Sequence, residues 1–561
     1  MGWRDFAVSL KLSSFVAFPA LCMAVVSGSL LAQPFPGAVA PAPVPQAASR
    51  GGRGPVVVGS RIADGQAYAT VVELKHQANP ADNGRLLLAF EANGFDGIPI
   101  WESADHGASW HFVANAHDSQ ENDKPRCDLH WQPHLTEMPR SEHGIAAGMV
   151  LLSASTVCQQ PLPGRGTQVM HLRLFTSGDF GKNWNFVSTY AEGTGDEPVW
   201  EPHLQILDDG TLVEFYSDET HKADGYNQML GHKVSKDGGR SWGPEIYDTA
   251  MKGGVERPGM VIIARLPTKS YVYNFEDVAG PVQANQVHLK FSKDGLNWGN
   301  PESRGTPVQT EAGQYPANTP NTFWFPIGGP KGVLVVTSRS SQGAGGDAAG
   351  NVIYWNNNLG VGPWWQAPTP VQKIGNNRAG WTQAMLLKPD GSMLHITSSG
   401  STDPASSNNP GSNAILFNAA GIDFDRYEAE NARQQGSAIM RDASMSNGGK
   451  TRLGAKNVGK LTFHINVPKA GRYALAVNYA GIGFAATPRL AVNGNGVTGA
   501  VGSAPADPDK AAQRIRDLGT RGTGEHSQLS AEAALKAGAN TIEVLGGAYA
   551  LDIDYLEVKS L

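Results

Sequence analysis

Apolar runs of strand length that end in polar residues recur six times between residues 67 and 400. Each repeat has an apolar strand, a turn that often holds Gly, a second apolar strand and a polar end. The repeats begin about 60 residues apart, the length of one four-stranded propeller blade with its loops. The segments are "AYATVVELKHQANPADNGRLLLAFEA" from 67, "HWQPHLTEMPRSEHGIAAGMVLLSAS" from 130, "VWEPHLQILDDGTLVEFYSD" from 199, "ERPGMVIIARLPTKSYVYNFED" from 256, "FWFPIGGPKGVLVVTSRS" from 323 and "GWTQAMLLKPDGSMLHITSS" from 380.

A second motif alternates with the first. It occurs as "SADHGASW" (103–110), "SGDFGKNW" (177–184), "SKDGGRSW" (235–242) and the shorter "SKDGLNW" (292–298). In this motif a Ser and an Asp hydrogen-bond the backbone of a tight turn, a Gly takes a positive φ, and a Trp packs beneath. This motif resembles the Asp box of sialidase-like propellers, so we expect its role to be structural. The sequence predicts an all-β six-bladed propeller over residues 56–420, with "PVVVGS" (55–60) pairing with "AILFN" (414–418) to close the ring.

The segments on either side of the repeats differ in composition. Residues 1–32 carry basic residues and then a short apolar run, which indicates a secretory signal peptide; an uncleaved anchor is the alternative. A Pro- and Ala-rich linker follows over 33–55, and strands of alternating polarity over 421–561 predict a β-sandwich (jelly-roll) module. We therefore expect a secreted or periplasmic protein, in which Cys127 and Cys158 form one disulfide or remain two buried thiols.

The formal net charge is −6 over 561 residues. This slightly acidic balance provides no electrostatic reason to expect nucleic acid as a partner, and no segment after the signal is apolar enough to span a bilayer.

The repeats also indicate which residues lie together. The two strands of each repeat form a hairpin, so the start of the first and the end of the second lie at one edge, the mouth of the ring. Aligning the prolines of "HWQPHL", "VWEPHL" and "ERPG" makes Gln132, Glu201 and Arg257 equivalent. Counting from the turns aligns a second set: Glu91, Ser155, Ser217, Glu276, Arg339 and Ser398.

Glu201 and Glu276 belong to adjacent repeats and should share one pocket. Two facing carboxylates can divide acid, base and nucleophile roles in glycoside hydrolysis, because their repulsion raises the pKa of one of them. The alternative is that one of them forms a buried salt bridge with Arg257 or Arg339.

The segments "VWEPHLQILDDGTLVEFYSDE", "SKDGGRSWGP", "ERPGMVIIARLP" with "YVYNFED", and "FPIGGPKGVLVVTS" resemble glycoside hydrolase family 93, the exo-α-1,5-L-arabinanases. The resemblance runs from about residue 60 to 400. It implies a six-bladed propeller that releases arabinobiose from plant cell-wall arabinan with retention and without a catalytic cofactor. Glu201 would be the acid/base and Glu276 the nucleophile, with the reverse open. Asp277 is a competing carboxylate, and Glu256 would brace Arg257.

Further substrate contacts are expected from side chains near the mouth. The stacking candidates are Trp131, Trp200, Trp324 and Trp381, with core positions as the alternative. Arg61, Arg257 and Arg339 are polar candidates. His134 and His203 recur at one repeat position and are interpreted as structural.

Residues 425–558 resemble carbohydrate-binding modules of families 35 and 6. The resemblance implies a structural Ca²⁺ held by Glu428, Glu430 and Asp554, because oxygen ligands suit this ion. Phe484 is a candidate for sugar contact.

Two other functions remain open. A sialidase would use Arg61, in "SRIAD", with Arg257 and Arg339 as a carboxylate clamp. A non-enzymatic lectin would use the same pocket for binding only.

Overall fold

The computed structural model describes residues 58–94, 96–122, 126–158, 169–376, 378–401, 403, 409–442, 445–481, 487–503 and 526–561. The predicted signal peptide and linker, residues 55–57 of "PVVVGS" and Phe484 lie outside these ranges. Within the described residues, no helix is both long and apolar enough to cross a membrane.

The described residues form strands and a few short 3-10 helices, which confirms the all-β prediction. The strands of the first part are β1 (Ser60–Asp64), β2 (Ala67–Glu73), β3 (Leu86–Glu91), β4 (Ile98–Ser103), β5 (His111–Ala116), β6 (Cys127–Glu137), β7 (Val150–Cys158), β8 (Val169–Ser177), β9 (Asn185–Thr194), β10 (Val199–Ile206), β11 (Leu212–Asp218), β12 (Met229–Ser235), β13 (Ile246–Thr249), β14 (Arg257–Arg265), β15 (Tyr271–Val278), β16 (Gln286–Ser292), β17 (Thr306–Pro307), β18 (Tyr315–Ala317), β19 (Asn321–Phe325), β20 (Val333–Thr337), β21 (Ser340–Gln342), β22 (Val352–Asn356), β23 (Trp365–Pro368), β24 (Ala384–Leu387), β25 (Met393–Ser399) and β26 (Ala414–Ala420).

The second part contains β27 (Arg426–Glu428), β28 (Arg433–Gln435), β29 (Ser437–Arg441), β30 (Gly449–Leu453), β31 (Lys460–Val467), β32 (Gly471–Gly481), β33 (Arg489–Val492), β34 (Asn495–Val497), β35 (Ala500–Ser503), β36 (His526–Leu535), β37 (Gly538–Leu545) and β38 (Leu551–Ser560). The 3-10 helices are Pro80–Asp82, Lys222–Asp224, Pro410–Ser412, Ala429–Asn431 and Ser446–Gly448.

Strands β1 to β26 form six antiparallel sheets in chain order. The first three and the fifth are four-stranded: β2 to β5, β6 to β9, β10 to β13, and β19-β20-β22-β23. The fourth is β14-β15-β16 with β17, β18 and β21 added, and the sixth is β24-β25-β26-β1. The innermost strands β2, β6, β10, β14, β19 and β24 contact one another in that order, and β24 contacts β2. The six sheets therefore form a closed ring.

The ring closes where expected, but with a later segment than predicted. Strand β1 pairs with β26 from Ser60 opposite Phe417 to Asp64 opposite Ala414. Val58 instead forms an isolated bridge with Gln372. The partner strand 414–418 is confirmed, whereas the predicted closing strand 55–60 was placed about four residues too early.

The Asp boxes adopt the predicted structure. In the first, Ser103 Oγ accepts a hydrogen bond from Gly107 N at 2.8 Å, Asp105 Oδ1 accepts one from Ser109 N at 2.9 Å, and Gly107 has φ 83°. Trp110 beneath the turn is buried. The same contacts recur in the other three boxes, so their aspartates are structural.

Cys127 and Cys158 lie directly opposite each other on β6 and β7 and form a disulfide. Of the two alternatives left open by the sequence, the structure thus has the bridge. It joins the two ends of this hairpin that lie at the mouth of the ring.

We call residues 421–561 the C-terminal module. Its strands form two antiparallel sheets, β29-β30-β38-β32-β36-β35 with β27 on β38, and β28-β31-β37-β33-β34. Buried residues of both sheets, among them Phe463, Leu475 and Ile553, belong to one hydrophobic core. That core also includes Trp355 and Trp365 of the fifth sheet.

Candidate active site

Glu201 on β10 and Glu276 on β15 belong to neighbouring sheets and point towards the same volume at the mouth. The backbone of Gly259 lies beside them: a Cβ atom built there would be 3.7 Å from Glu201 Oε2 and 3.8 Å from Glu276 Oε1. Together these distances limit the separation of the two oxygens to about 7.5 Å. This bound includes the spacing of retaining glycosidases, about 5 Å, and the lower end of the inverting range, about 6.5 Å.

The position of Glu201 results from a bulge shared by the first strands of four sheets. Tyr68, Gln132, Glu201 and Met260 all have left-handed φ values, between 54° and 64°, and the strand register shifts at each of them. The alignment of Glu201 with Arg257 was therefore wrong. Met260 occupies the equivalent position, because the bulge rather than the proline sets the register.

The residues opposite the bulges confirm the second alignment for four sheets. Glu91, Ser155, Ser217 and Glu276 pair in register with Ala67, Trp131, Trp200 and Gly259.

Glu201 and Gln132 make the same two hydrogen bonds in adjacent sheets. Gln132 Oε1 accepts from Ser155 Oγ at 3.0 Å and from the backbone N of Glu201 at 3.0 Å. Glu201 Oε2 accepts from Ser217 Oγ at 2.6 Å and from the backbone N of Met260 at 3.1 Å. An amide thus suffices for the structural role, and the charge that distinguishes "VWEPHL" from "HWQPHL" is available for chemistry.

The electrostatic settings of the two glutamates differ. Burial raises the pKa of Glu201, and the hydrogen bonds from Ser217 and Met260 oppose the shift. Glu276 Oε2 accepts one backbone hydrogen bond, from Thr319 N at 2.7 Å. Burial raises the pKa of Glu276 to about 7; the Thr319 bond lowers it, and the charge of Glu201 raises it further.

Neither glutamate is bonded to the arginines that were expected as alternative partners. Arg257 Nη2 donates to Glu219 Oε1 at 2.5 Å and to Gln228 Oε1 at 2.7 Å. Arg339 Nη2 donates to the carbonyl of Asn376 at 2.9 Å. Both arginines are near enough for their charges to lower the pKa of Glu276. The salt-bridge alternative is therefore wrong for the described residues, and both arginines remain near the pocket.

Asp277, the competing carboxylate, and Glu256, the expected partner of Arg257, both bind Arg304. Asp277 is buried and accepts from Arg304 Nε at 3.2 Å, and Glu256 Oε2 accepts from the same Nε at 2.8 Å. Because consecutive strand residues point to opposite faces, Asp277 faces away from the pocket of Glu276. Glu256 braces Arg304 rather than Arg257, which corrects the expectation.

A third carboxylate, not identified as functional from the sequence, lies on the other side of Glu201. Glu91 is buried, accepts from Arg378 Nη1 at 3.0 Å and from the backbone N of Gln132 at 3.2 Å, and has its pKa raised to about 7 by burial. Tyr68 is buried nearby, and burial together with the charges of Glu201 and Glu91 raises its pKa. The repeat alignment had placed Glu91 at this ring position, but nothing in the sequence marks Arg378 as its partner.

The tryptophan candidates separate into two groups. Trp131 and Trp200 are half-buried and stack with their ring centroids 5.7 Å apart, beside the bulges of Gln132 and Glu201. Trp381 packs edge-on against Tyr68 at the mouth. Trp324 lies at the far end of β19, where its Nε1 donates to the carbonyl of Lys331 in the hairpin turn. Trp324 is therefore not at the mouth, because its strand runs away from it.

The expectation that Arg61 lies at the mouth is also wrong. It lies on β1, the outermost strand of the sixth sheet, where its side chain is 47% exposed and pairs with Asp64. Arg61 cannot join Arg257 and Arg339 in a carboxylate clamp, because an outermost strand is separated from the mouth by the three other strands of its sheet.

His134 and His203 are structural, as interpreted. Their rings lie 4.1 Å apart, and they accept hydrogen bonds from the backbone N of Leu204 and of Ile263 in the next sheets. Burial lowers the pKa of both.

Glu428, Glu430 and Asp554 lie close together and buried in the C-terminal module. Burial and mutual repulsion raise the pKa of Glu428, and the pKa of Glu430 is raised to about 7. Glu428 Oε2 and Glu430 Oε2 are buried and accept no hydrogen bond from the described residues. Such donors suit Ca²⁺. However, no choice of one oxygen from each residue brings all three within 4.8 Å of one another, so these side chains would have to turn inward to share an ion.

The described part of the ring contains two groups of potential metal ligands that were not anticipated. The first is Glu121 with Cys127 and Cys158, whose sulfur atoms are already bonded to each other in the disulfide. In the second, Asp218, His221 and Glu245 each bring a ligand atom within 4.8 Å of the others. His221 already bonds Glu245 Oε2 at 3.2 Å and Asp224 Oδ2 at 3.0 Å, so an ion pair accounts for the cluster.

No protein-family model and no curated protein sequence matches the chain. Solved structures do. The α-L-arabinanase of Penicillium chrysogenum, complexed with arabinobiose, is 25% identical over 65% of this chain and 99% of its own, with a TM-score of 0.53. The α-L-arabinofuranosidase Arb93A of Fusarium graminearum, with an iminosugar inhibitor, is 27% identical over 64% of this chain and 96% of its own, with a TM-score of 0.52. A further structure, the GH93 enzyme of that organism with arabinobiose, is 26% identical over 65% and 98%, with a TM-score of 0.51.

The similarity to these enzymes and the pair of buried carboxylates at the mouth indicate the same activity. The protein is a glycoside hydrolase. In this glycoside hydrolase, Glu201 and Glu276 are the carboxylates positioned on either side of one small volume, with pKa values raised by burial. Such a pair can supply one ionised and one protonated carboxyl group at neutral pH.

Proposed function

We propose that the protein is an exo-acting, retaining α-1,5-L-arabinanase that releases arabinobiose or a short arabino-oligosaccharide from the non-reducing end of arabinan. The convergence of Glu201 and Glu276 at Gly259 is the observation that carries this proposal. The arabinobiose complexes of two similar enzymes support the choice of substrate. Reaction by retention requires the two carboxyl groups to be about 5 Å apart, within the bound of about 7.5 Å.

We further propose that Glu276 is the acid/base and Glu201 the nucleophile, the reverse of the assignment preferred from sequence. A general acid must hold a proton near neutral pH, and the pKa of Glu276 is raised to about 7. Glu201 Oε2 is held by two hydrogen bonds, which favour an ionised, oriented carboxylate. Its other oxygen would attack the anomeric carbon, while Glu276 protonates the leaving oxygen and then activates the water.

Product analysis on debranched arabinan tests the function. Arabinobiose as the first product, with the α-anomer formed first by NMR, is the expected result. Free sialic acid from a sialyl glycoside would indicate a sialidase instead. Binding of arabinan without any product would indicate a lectin.

Azide rescue of two alanine variants tests the roles. With an aryl arabinoside, Glu276→Ala should form an azide of retained configuration, because the nucleophile is intact. Glu201→Ala should give the inverted azide or no product. The opposite pattern would restore the assignment preferred from sequence.

We also propose an architecture for the two parts of the chain and a cellular location for the protein. The closed ring of six sheets supports a six-bladed β-propeller, and the two sheets over a common core support a β-sandwich for the C-terminal module. We propose that the module is related to carbohydrate-binding modules and binds Ca²⁺ through Glu428, Glu430 and Asp554, and that the protein is secreted or periplasmic.

A further inference from the structure

The C-terminal module is joined to the ring by buried aromatic contacts. Trp365 of β23 stacks on Phe463 with centroids 5.9 Å apart and meets Tyr427 edge-on at 4.9 Å. Trp355 of β22 contacts Tyr427 and Phe424, each at 5.5 Å. These residues belong to one core that extends from the fifth sheet into the module. A shared hydrophobic core opposes independent motion of its two sides.

One segment of the ring, residues 310–319, extends from this interface to the pocket. We call it the anchor segment. In the first half of the segment, Gln314 is fully buried. Its Nε2 donates to the carbonyl of Glu430 in the module and to the carbonyl of Ala344 in the ring, both at 2.8 Å. The backbone N of Ala312 donates to the carbonyl of Asn431 at 3.3 Å. The module thus holds the first half of the segment.

The other end of the anchor segment provides the backbone hydrogen bond to Glu276. Strand β18 pairs with β21, and Asn318 N donates to the carbonyl of Asn285. Thr319 N then donates to Glu276 Oε2 at 2.7 Å. Only four residues lie between Gln314, which is bonded to the module, and Thr319, which is bonded to Glu276.

The backbone at this end needs external support. Asn318 and Thr319 have consecutive left-handed φ values of 65° and 46°. This conformation is unfavourable for a β-branched residue such as Thr and persists only where surrounding contacts hold it. Gln314, β18 and the bond from Arg339 N to the carbonyl of Asn318 are such contacts.

We propose that the C-terminal module positions Glu276 through the anchor segment, which makes Gln314 a positioning residue of the active site. The inference rests on the proposed function for its kinetic consequence, but not for its structural one. The module would then be part of the catalytic unit in addition to any binding role.

The test uses the full chain with Gln314→Met, which keeps the side-chain length and removes both donated bonds together with the bond that Gln314 Oε1 accepts from Thr310 Oγ1. Asn357→Leu is the matched control: Asn357 Nδ2 donates to the carbonyl of Asn466 across the same interface, at 3.2 Å, without a connection to Glu276. In Gln314→Met, the amides within residues 315–321, where Pro316 and Pro320 carry none, should exchange hydrogen about tenfold faster than in the wild type. In Asn357→Leu they should exchange as in the wild type.

Kinetics on arabinan give the second measurement. Gln314→Met should lower kcat about tenfold or more with KM changed by less than about threefold, because the reacting groups are misplaced while sugar contacts remain. The pH limb that reports Glu276 should move upward, since the bond from Thr319 lowers its pKa. Asn357→Leu should leave both unchanged.

A folded Gln314→Met variant with unchanged exchange at 315–321 overturns the inference, as does an equal effect of Asn357→Leu. If Gln314→Met does not fold, wild-type exchange in mild denaturant decides: residues 315–321 and 429–432 should open together, and separate opening contradicts the proposal. Exchange requires no substrate, so inactivity of the wild type on arabinan would reject the proposed function alone.

Discussion

At the scale of single residues, one repeated position of the ring carries a structural side chain, Gln132, in one sheet and an ionisable side chain, Glu201, in the next. Gln132 and Glu201 have the same left-handed backbone and accept equivalent hydrogen bonds, from Ser155 and the Glu201 backbone or from Ser217 and the Met260 backbone. Since both side chains satisfy the scaffold, only the ionisable one can react.

This equivalence predicts the outcome of Glu201→Gln. The amide oxygen can accept from Ser217 and Met260 as that of Gln132 does from its own partners, so the melting temperature should change by no more than about 2 °C. Turnover of arabinan should fall at least about 10²-fold. Calorimetry and a reducing-sugar assay measure the two effects, and near-normal turnover in a folded variant would remove Glu201 from the mechanism.

Gly259 is predicted to be required for its lack of a side chain. A Cβ there would lie 2.7 Å from Gln228 Nε2 and beside the oxygens of both glutamates. Gly259→Ala should therefore lower kcat/KM about tenfold or more while the protein still folds. Gly243→Ala is the control, because its Cβ would meet only a carbonyl at 3.5 Å. Equal activity of the two variants would contradict this prediction.

At the scale of elements, the disulfide of the β6–β7 hairpin should contribute to stability. It joins residues 31 apart in sequence, for which loop-closure entropy gives about 3 to 4 kcal/mol. The double variant Cys127→Ser, Cys158→Ser should therefore unfold at lower urea concentration than the wild type. Reductant should lower the wild-type midpoint to a similar value and leave that of the double variant unchanged. Identical midpoints without reductant would show that the bridge adds nothing.

The acidic cluster of the C-terminal module yields a prediction on metal removal. Three buried carboxylates repel one another, and a bound cation would offset this repulsion. A chelator should lower the melting temperature by several degrees, and added Ca²⁺ should restore it. Glu428→Gln should abolish the response, whereas Asp423→Asn, at a half-buried residue that pairs with Lys559, should keep it. A wild type indifferent to chelator and Ca²⁺ would reject the cation.

At the scale of the whole molecule, buried carboxylates should make stability depend on pH. Burial raises the pKa of Glu214 from 4.5 to about 8 in the folded state, on a side chain that is 0% exposed. The folded state therefore keeps a proton that the unfolded chain releases. The stabilisation is complete below about pH 4.5 and is lost as pH rises to about 8.

Thermal melts of the wild type and of Glu214→Gln between about pH 7 and 8.5 test this dependence, because histidines whose pKa burial lowers, such as His134 and His203, are neutral in both the folded and the unfolded state there. The melting temperature of the wild type should fall over this range, and that of Glu214→Gln should fall less steeply, because its amide binds no proton. Glu91 and Glu276, with pKa values of about 7, should leave a residual slope in that variant. A wild-type melting temperature that rises with pH over the same range would contradict the prediction.

The sequence by itself determined the repeating sheets, the turns and the pair of glutamates. Hairpins, Asp boxes and polar strand ends are local features that consecutive residues specify, such as those of 235–242. Their regular spacing along the chain predicts a ring of similar sheets. Glu276 was found because counting along a regular strand preserves register. The all-β class and the site on the third and fourth sheets follow from these local rules.

Only the tertiary structure decided what depends on register shifts and on distant packing. The bulge that makes Met260 rather than Arg257 equivalent to Glu201 is a backbone conformation, which side-chain patterns do not encode. Arg61 and Trp324 had suitable chemistry but lie on an outermost strand and at a far strand end. The link from Glu430 through Gln314 to Thr319 joins residues more than 100 positions apart. Such contacts arise when the ring closes and the module packs on it, and no local pattern specifies them.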